Sequence, residues 1–294
     1  MYVDKYLDYL EKDEKKAENT LQAYRTDIND LRRYLKAKGK DNLALVTNTD
    51  VVGYLMELKE AGKSQATINR KVASIRNFYN FMIDEKYMKG ENPTKNISMP
   101  KVEKREIVYL TEDEVVRLLE SPDDSLSGKR DRAILELMYA TGMMVNEVIE
   151  AKVADINLAR GFITFDGTHG KARVVPVGSK AREAVGDYLE NAREQMLKGK
   201  DDHGYLFVNY CGNKLTRQGL WKILKQYGEK AGLADRISPH ILRDSFAVHM
   251  VNNGADLKSL QELMGHEDIS ATEAYVLVKK NRIKKVYDMA HPRA

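Results

Sequence analysis

The sequence predicts a mainly α-helical chain of two domains, with one small β-hairpin or sheet in the second. Three observations carry this. Apolar residues recur at three- and four-residue steps through most of the first ninety positions. A stretch with two prolines, a glycine and no helical stripe, GENPTKNISMPKVEKRE, interrupts that pattern at residues 90–106. Beyond it, one segment, GFITFDGTHGKARVVPVG, alternates as strands do around a glycine-rich turn.

Taken in order, a first, weaker helix is expected over roughly residues 2–17. The second stripe is Leu21, Tyr24, Ile28, Leu31 and Leu35, with Asn19 or Thr20 as cap and Gly39 at its end. The third places Val51, Tyr54 or Leu55, and Leu58 on one face. The fourth carries Ile68, Val72, Ile75, Tyr79 and Met82 behind a Ser64 cap. Four helices with short connections predict an all-α domain over residues 1–89, then a linker over 90–106 and a second domain over 107–294. That domain opens with a capping box, Thr111-x-x-Glu114, with Leu110 at the staple position. Helices are expected in GKRDRAILELMYATG, SKAREAVGDYLENAREQML, TRQGLWKILKQYGEKAG and from Pro239 onward. Ile163 and Phe165 precede the hairpin turn, Val174, Pro176 and Val177 follow it, and residues 205–208 read as a further short strand.

The totals exclude several classes. The 294 residues allow two ordinary cores, and 43% hydrophobic with 31% charged residues is a globular composition. No apolar run approaches the roughly 20 residues of a membrane helix. The N-terminus mixes both charge signs without an apolar core, so no signal peptide is read there and a cytoplasmic protein is expected. One cysteine, Cys211, excludes an intrachain disulfide framework and a cysteine-based zinc site. Residues 1–105 hold 21 Lys and Arg against 16 Asp and Glu, and the rest 27 against 28. The positive excess sits in the first half, which points to an anionic partner. The fourth helix carries Arg70, Lys71 and Arg76, preceded by Lys63, beside Asn69 and Asn77, a polar face suited either to phosphates and base edges or to solvent.

The chemistry concentrates in SPHILRDSFAVHMVNNGADLKSLQELMGHEDISATEAYVLVKK, residues 238–280. His240 and Arg243 are three apart, so they share a helix face and can grip one anionic group. Gly265-His266 sits in a turn, and Tyr275 follows nine residues after His266. Taken singly these are common residues. In this order and spacing they resemble the tyrosine recombinases, the integrase family, in particular its Xer-type members. The N-terminal bundle is similar to that family's core-binding domain, and MYATGMMVNEVIEAKVADI to its first catalytic motif. The resemblance spans nearly the whole chain.

What the resemblance implies is specific. Tyr275 is the nucleophile that forms a 3′-phosphotyrosine, Arg243 a phosphate clamp, His240 and His266 donors or proton movers, and Glu147 an orienting group. No metal or other cofactor is needed. The partner is double-stranded DNA held in a clamp. Assembly is a tetramer on paired sites, homo-oligomeric or with a related recombinase, and involves no membrane. Arg173 and Arg217 join Lys63, Arg70, Lys71 and Arg76 as candidate DNA contacts. The C-terminal tail, with Ile283, Val286 and Tyr287 or Met289 as its stripe, is expected to dock on a neighbouring subunit.

The chain also departs from the family. Met144 stands where the first catalytic arginine is expected, and it has neither charge nor donor. Thr168 stands where the hairpin lysine, the general acid, is expected; Lys171 matches only the second, non-catalytic lysine. Lys171 or His169 is placed to substitute for the acid, and Lys152 and Arg173 are the close basic residues near the missing arginine. Asp244 follows Arg243, where a histidine is common, and is in reach to pair with Arg243. Three departures in three motifs favour natural divergence over one deliberate substitution. Two functions therefore compete: a strand-transferring recombinase of reduced activity, and a DNA-binding relative that assembles on recombination sites without cleaving. A type IB topoisomerase-like nicking enzyme is a weaker third, set against the family-like N-terminal bundle.

Overall fold

A computed structural model describes residues 2–14, 16, 18–100, 107–165, 172–266, 268–276 and 278. Its contacts divide the chain into two units, Met1–Arg105 and Glu106–Ala294.

The first unit holds four α-helices among its described residues: α1 (Tyr2–Lys12), α2 (Glu18–Ala37), α3 (Asn48–Glu60) and α4 (Gln65–Asp84). The apolar stripes meet as periodicity demands. Tyr6, Leu10, Ile28, Leu31, Leu35, Val51, Ile75, Phe78, Tyr79 and Met82 form one buried core. Ser64 caps α4 by accepting the Thr67 N–H at 3.3 Å. α2 begins at Glu18, so Asn19 and Thr20 lie inside its first turn rather than at its cap. The basic residues of α4 have partners within the unit. Asp27 of α2 is fully buried and accepts from Lys71 at 2.9 Å, from Ser74 at 2.8 Å and from Arg70. Lys71 also reaches Asp30 at 2.8 Å.

The proline-bearing stretch after α4 is fastened to the same unit as far as Pro100. Asn92 donates to the Arg76 carbonyl (2.9 Å), Arg76 to the Ile97 carbonyl (2.8 Å), and Asn69 to the Pro100 carbonyl (2.8 Å). Residues 101–106 lie outside the described residues.

In the second unit α5 (Glu112–Leu119) starts at the expected capping box. α6 (Leu126–Thr141) and α7 (Val145–Glu150) follow, then β1 (Ile156–Asn157), β2 (Phe162–Phe165) and β3 (Arg173–Pro176). The three strands are antiparallel in the order β1-β2-β3, with Ile163 opposite Val175 and Phe165 opposite Arg173. Ile163, Phe165 and Val175 face the core, while Val174 faces out. α8 (Ser179–Tyr188) runs through a π-helical turn into α9 (Glu194–Leu197). Residues 205–208, expected as a strand, make only isolated bridges, Lys152 with Tyr205 and Val208 with Lys214. Their side chains Leu206, Phe207 and Val208 are nonetheless buried. α10 (Arg217–Lys230), α11 (Ile241–Asn252) and α12 (Leu257–Met264) complete the labelled helices, and residues 269–276 are helical. α11 crosses α6 through the core, which sets Arg243 beside the end of α6.

Candidate active site

The site is built where α6 and α12 end and α7 and β3 begin. α6 stops at Gly142, whose left-handed backbone (φ 61°) suits glycine; a Cβ there would meet the Phe246 ring at 2.5 Å. α12 stops in the same way at Gly265 (φ 65°). The carbonyls at these two ends converge on Arg243, which is 6% exposed. Its Nη1 donates to the Gly142 carbonyl and its Nη2 to the Met264 carbonyl at 2.6 Å. Two of its five N–H groups are thereby fixed, which holds the guanidinium plane.

Gly265 also admits a second arginine. Arg173, at the start of β3, lies so close that a Cβ on Gly265 would sit 2.8 Å from its Nη1. Its guanidinium covers the Phe165 ring at 4.5 Å, donates through Nε to the Leu263 carbonyl at 3.0 Å, and forks onto Glu147, with Nη2 2.8 Å from Oε2. Glu147 Oε2 also accepts the Met144 backbone N–H at 2.6 Å, a cap for the first turn of α7. Met143 is buried and Met144 is 38% exposed.

His266 follows Gly265 directly. Its Nδ1 pairs with Thr272 Oγ1 at 2.9 Å, and its ring lies nearly parallel to that of Tyr275, 7° between planes and 6.4 Å between centroids. Burial, then the charges of Arg243 and Arg173, push its pKa down to about 4, so it is neutral at pH 7. Tyr275 is 7% exposed and donates its hydroxyl to Asp244 Oδ1 at 2.8 Å. Burial and the neighbouring carboxylate hold its phenol well above the ordinary value, while burial raises Asp244 itself.

The structure thus gathers Tyr275, Arg243, His266 and Glu147, which are up to 128 positions apart in the chain. His240 is exposed at the N-cap of α11, and its charge bears on Asp244. Thr168, His169 and Lys171 lie outside the described residues. Lys152 sits 3.3 Å above the Tyr205 ring, and Arg217 donates to Asn146 Oδ1 at 3.0 Å. Lys63 is exposed; Arg70, Lys71 and Arg76 have the partners described above. Two features were missed. Asp244 turns to Tyr275 rather than pairing with Arg243, and Thr272 fixes His266. The i,i+3 spacing of Thr272 and Tyr275 signalled a shared helix face, but nothing local pointed that face at His266.

Residues 108–282 match the model of the phage integrase family, and residues 3–86 that of the phage integrase N-terminal SAM-like domain. A tyrosine recombinase XerD of Staphylococcus haemolyticus is 40% identical over 293 residues, 99% of each chain. Another tyrosine recombinase XerD, of Oceanobacillus iheyensis, is 42% identical over 279 residues, 95% of this chain and 94% of its own. Among solved structures, XerH site-specific recombinase bound to a palindromic difH substrate, a post-cleavage complex, superposes with a TM-score of 0.76 at 22% identity, covering 97% and 82% of the two chains. A lambda integrase dimer bound to a core site gives 0.68 at 20% identity, covering 93% of each. With both family models matched in order and relatives at about 40% identity over nearly its full length, this chain belongs to the phage integrase family, as a tyrosine recombinase of the Xer type.

Proposed function

We propose that this protein binds duplex DNA as a clamp and cuts and rejoins strands through Tyr275, more slowly than a relative with arginine at position 144 and lysine at 168. The observation that carries this is the arrangement of Tyr275 with its ring parallel to His266, beside buried Arg243. The chemistry follows from these groups. The Tyr275 hydroxyl attacks phosphorus in line, and the departing 5′-oxygen leaves a 3′-phosphotyrosine that stores the bond without an energy cofactor. Negative charge grows on the non-bridging oxygens, where the N–H groups of Arg243 not held by carbonyls stabilise it. The leaving oxygen needs a proton, and Lys171 or His169 of the hairpin supplies the nearest donor in sequence.

The reduced rate rests on Met144. Loss of one preorganised donor typically lowers a rate by about 10²–10³, and loss of a general acid by roughly 10²–10⁴. The same residue supports the second reading, a relative that assembles on recombination sites, alone or with an active recombinase, without cleaving. On either reading the protein works as a tetramer on paired DNA sites, and the tail beyond Lys280, outside the described residues, docks on a neighbour. Deleting that tail is expected to weaken assembly more than binding by the single chain in gel shifts; equal loss of both would refute its docking role.

Covalent trapping on nicked DNA separates the two readings. A denaturation-resistant adduct that vanishes in Tyr275→Phe establishes cleavage. Its absence, with recovery in a Met144→Arg, Thr168→Lys double variant, establishes the non-cleaving reading.

A further inference from the structure

Asp244 follows Arg243 on α11, yet its carboxylate turns away from that guanidinium, whose two Nη atoms are taken by backbone carbonyls. It accepts the Tyr275 hydroxyl instead, at 2.8 Å. That length is within the hydrogen-bond reach a general base needs. Among the described residues, three charged or titratable groups act on this carboxyl: Tyr275 from the helix at 269–276, by a hydrogen bond, and His240 at the N-cap of α11 and Arg243, by charge. The other candidate acceptors are His240 and His266; among the described residues the Tyr275 hydroxyl donates to Asp244 and to neither histidine. The His266 ring runs parallel to that of Tyr275 with centroids 6.4 Å apart, and its Nδ1 is engaged by Thr272 Oγ1 at 2.9 Å. Burial and the charges of Arg243 and Arg173 lower the pKa of His266, while burial raises that of Asp244.

We propose that Asp244 is the general base of strand cleavage and rests on the strand-transfer reading above. Its Oδ1 takes the Tyr275 proton as the phenolic oxygen forms its bond to phosphorus. The P–O5′ bond breaks, its electron pair stays on the 5′-oxygen, and that oxygen takes a proton from a hairpin donor or from water. In rejoining, the 5′-hydroxyl attacks phosphorus, the P–O(Tyr) bond breaks, and Asp244 returns its proton to Tyr275.

The test is the rate of covalent adduct formation on nicked duplex DNA between pH 5 and 9, for the full-length protein and for Asp244→Asn. The asparagine Oδ1 still accepts the Tyr275 hydroxyl, so melting temperature and DNA binding are expected to hold. Adduct formation at pH 7 is expected to fall by about 10²–10⁴. The deficit narrows at high pH, where hydroxide takes over, and the acid limb of the parent profile disappears. The same pair is measured in a Met144→Arg background. An Asp244→Asn rate equal to the parent's, or faster, with the acid limb intact, overturns the assignment alone. No Tyr275-dependent adduct in either background overturns the strand-transfer reading and the assignment with it.

Discussion

Glu147 grips Arg173 with both carboxylate oxygens while one of them also takes the Met144 backbone N–H. The carboxylate that would orient a guanidinium at position 144 is thus engaged with one arriving from β3. Met144→Arg adds a second cation at a position already 38% exposed. Stability is expected to change by no more than about 0.5 kcal/mol. Adduct formation in the trapping assay is expected to rise by about 10²–10³, the effect of one phosphate-facing donor. An unchanged rate would mean that the missing arginine does not limit cleavage.

The same pair predicts a stability effect. The two side chains are only 13% and 11% exposed. Glu147→Ala leaves a guanidinium without its counter-charge and is expected to destabilise the second unit by about 3–5 kcal/mol. A Glu147→Gln, Arg173→Met double variant removes both charges and is expected to recover most of the loss. Urea unfolding followed by circular dichroism measures both, and equal losses in the two variants would refute the charge argument.

The helices and the site were legible in the sequence to different depths. Apolar stripes such as Ile68, Val72, Ile75 and Tyr79 mark the inner face of a helix because burial selects apolar residues. Charges on that face carry no such mark. Lys71 looks like a phosphate contact until Asp27 of α2 is seen buried beneath it. Motif spacing picked out Tyr275, Arg243 and His266 because all three lie within 32 positions of one another. Asp244 was visible only as an odd residue, because its partner lies 31 positions away and a helix rotation decides whether it faces Arg243 or Tyr275. Residues 205–208 have strand-like composition but lack a long partner edge, so their burial comes without a ladder.

His266 predicts an acid limb in stability. Its folded pKa is pushed down to about 4 by burial and by Arg243 and Arg173, and Thr272 and Tyr275 pack on it from the last described helix. Below the ordinary histidine value near 6.5 the unfolded chain binds the proton and the folded chain does not. Its contribution is therefore complete at neutral pH and is lost as pH falls from about 6.5 toward 4. Thermal melts across that window are expected to drop less steeply for His266→Gln than for the parent. Parallel curves would show that His266 is not the group responsible.

Lys63, just before the Ser64 cap of α4, and Lys71 within that helix offer a test that separates DNA contact from folding. Lys63 is exposed, whereas Lys71 is 5% exposed and bonded to Asp27 and Asp30. If Lys63 neutralises one phosphate, Lys63→Ala lowers the slope of log affinity against log salt by about 0.9 and leaves the melting temperature unchanged. Lys71→Ala leaves Asp27 buried with fewer donors and is expected to lower stability by about 1–3 kcal/mol. Burial alone would lower the Lys71 pKa, but its bonds to Asp30 and Asp27 outweigh burial and raise it. Its stabilising effect therefore persists through neutral pH and is lost only as pH climbs above the ordinary lysine value. Salt titrations and melts of the two variants read these effects independently. A reduced salt slope in Lys71→Ala with unchanged melting would reverse the assignment and make Lys71 the DNA contact.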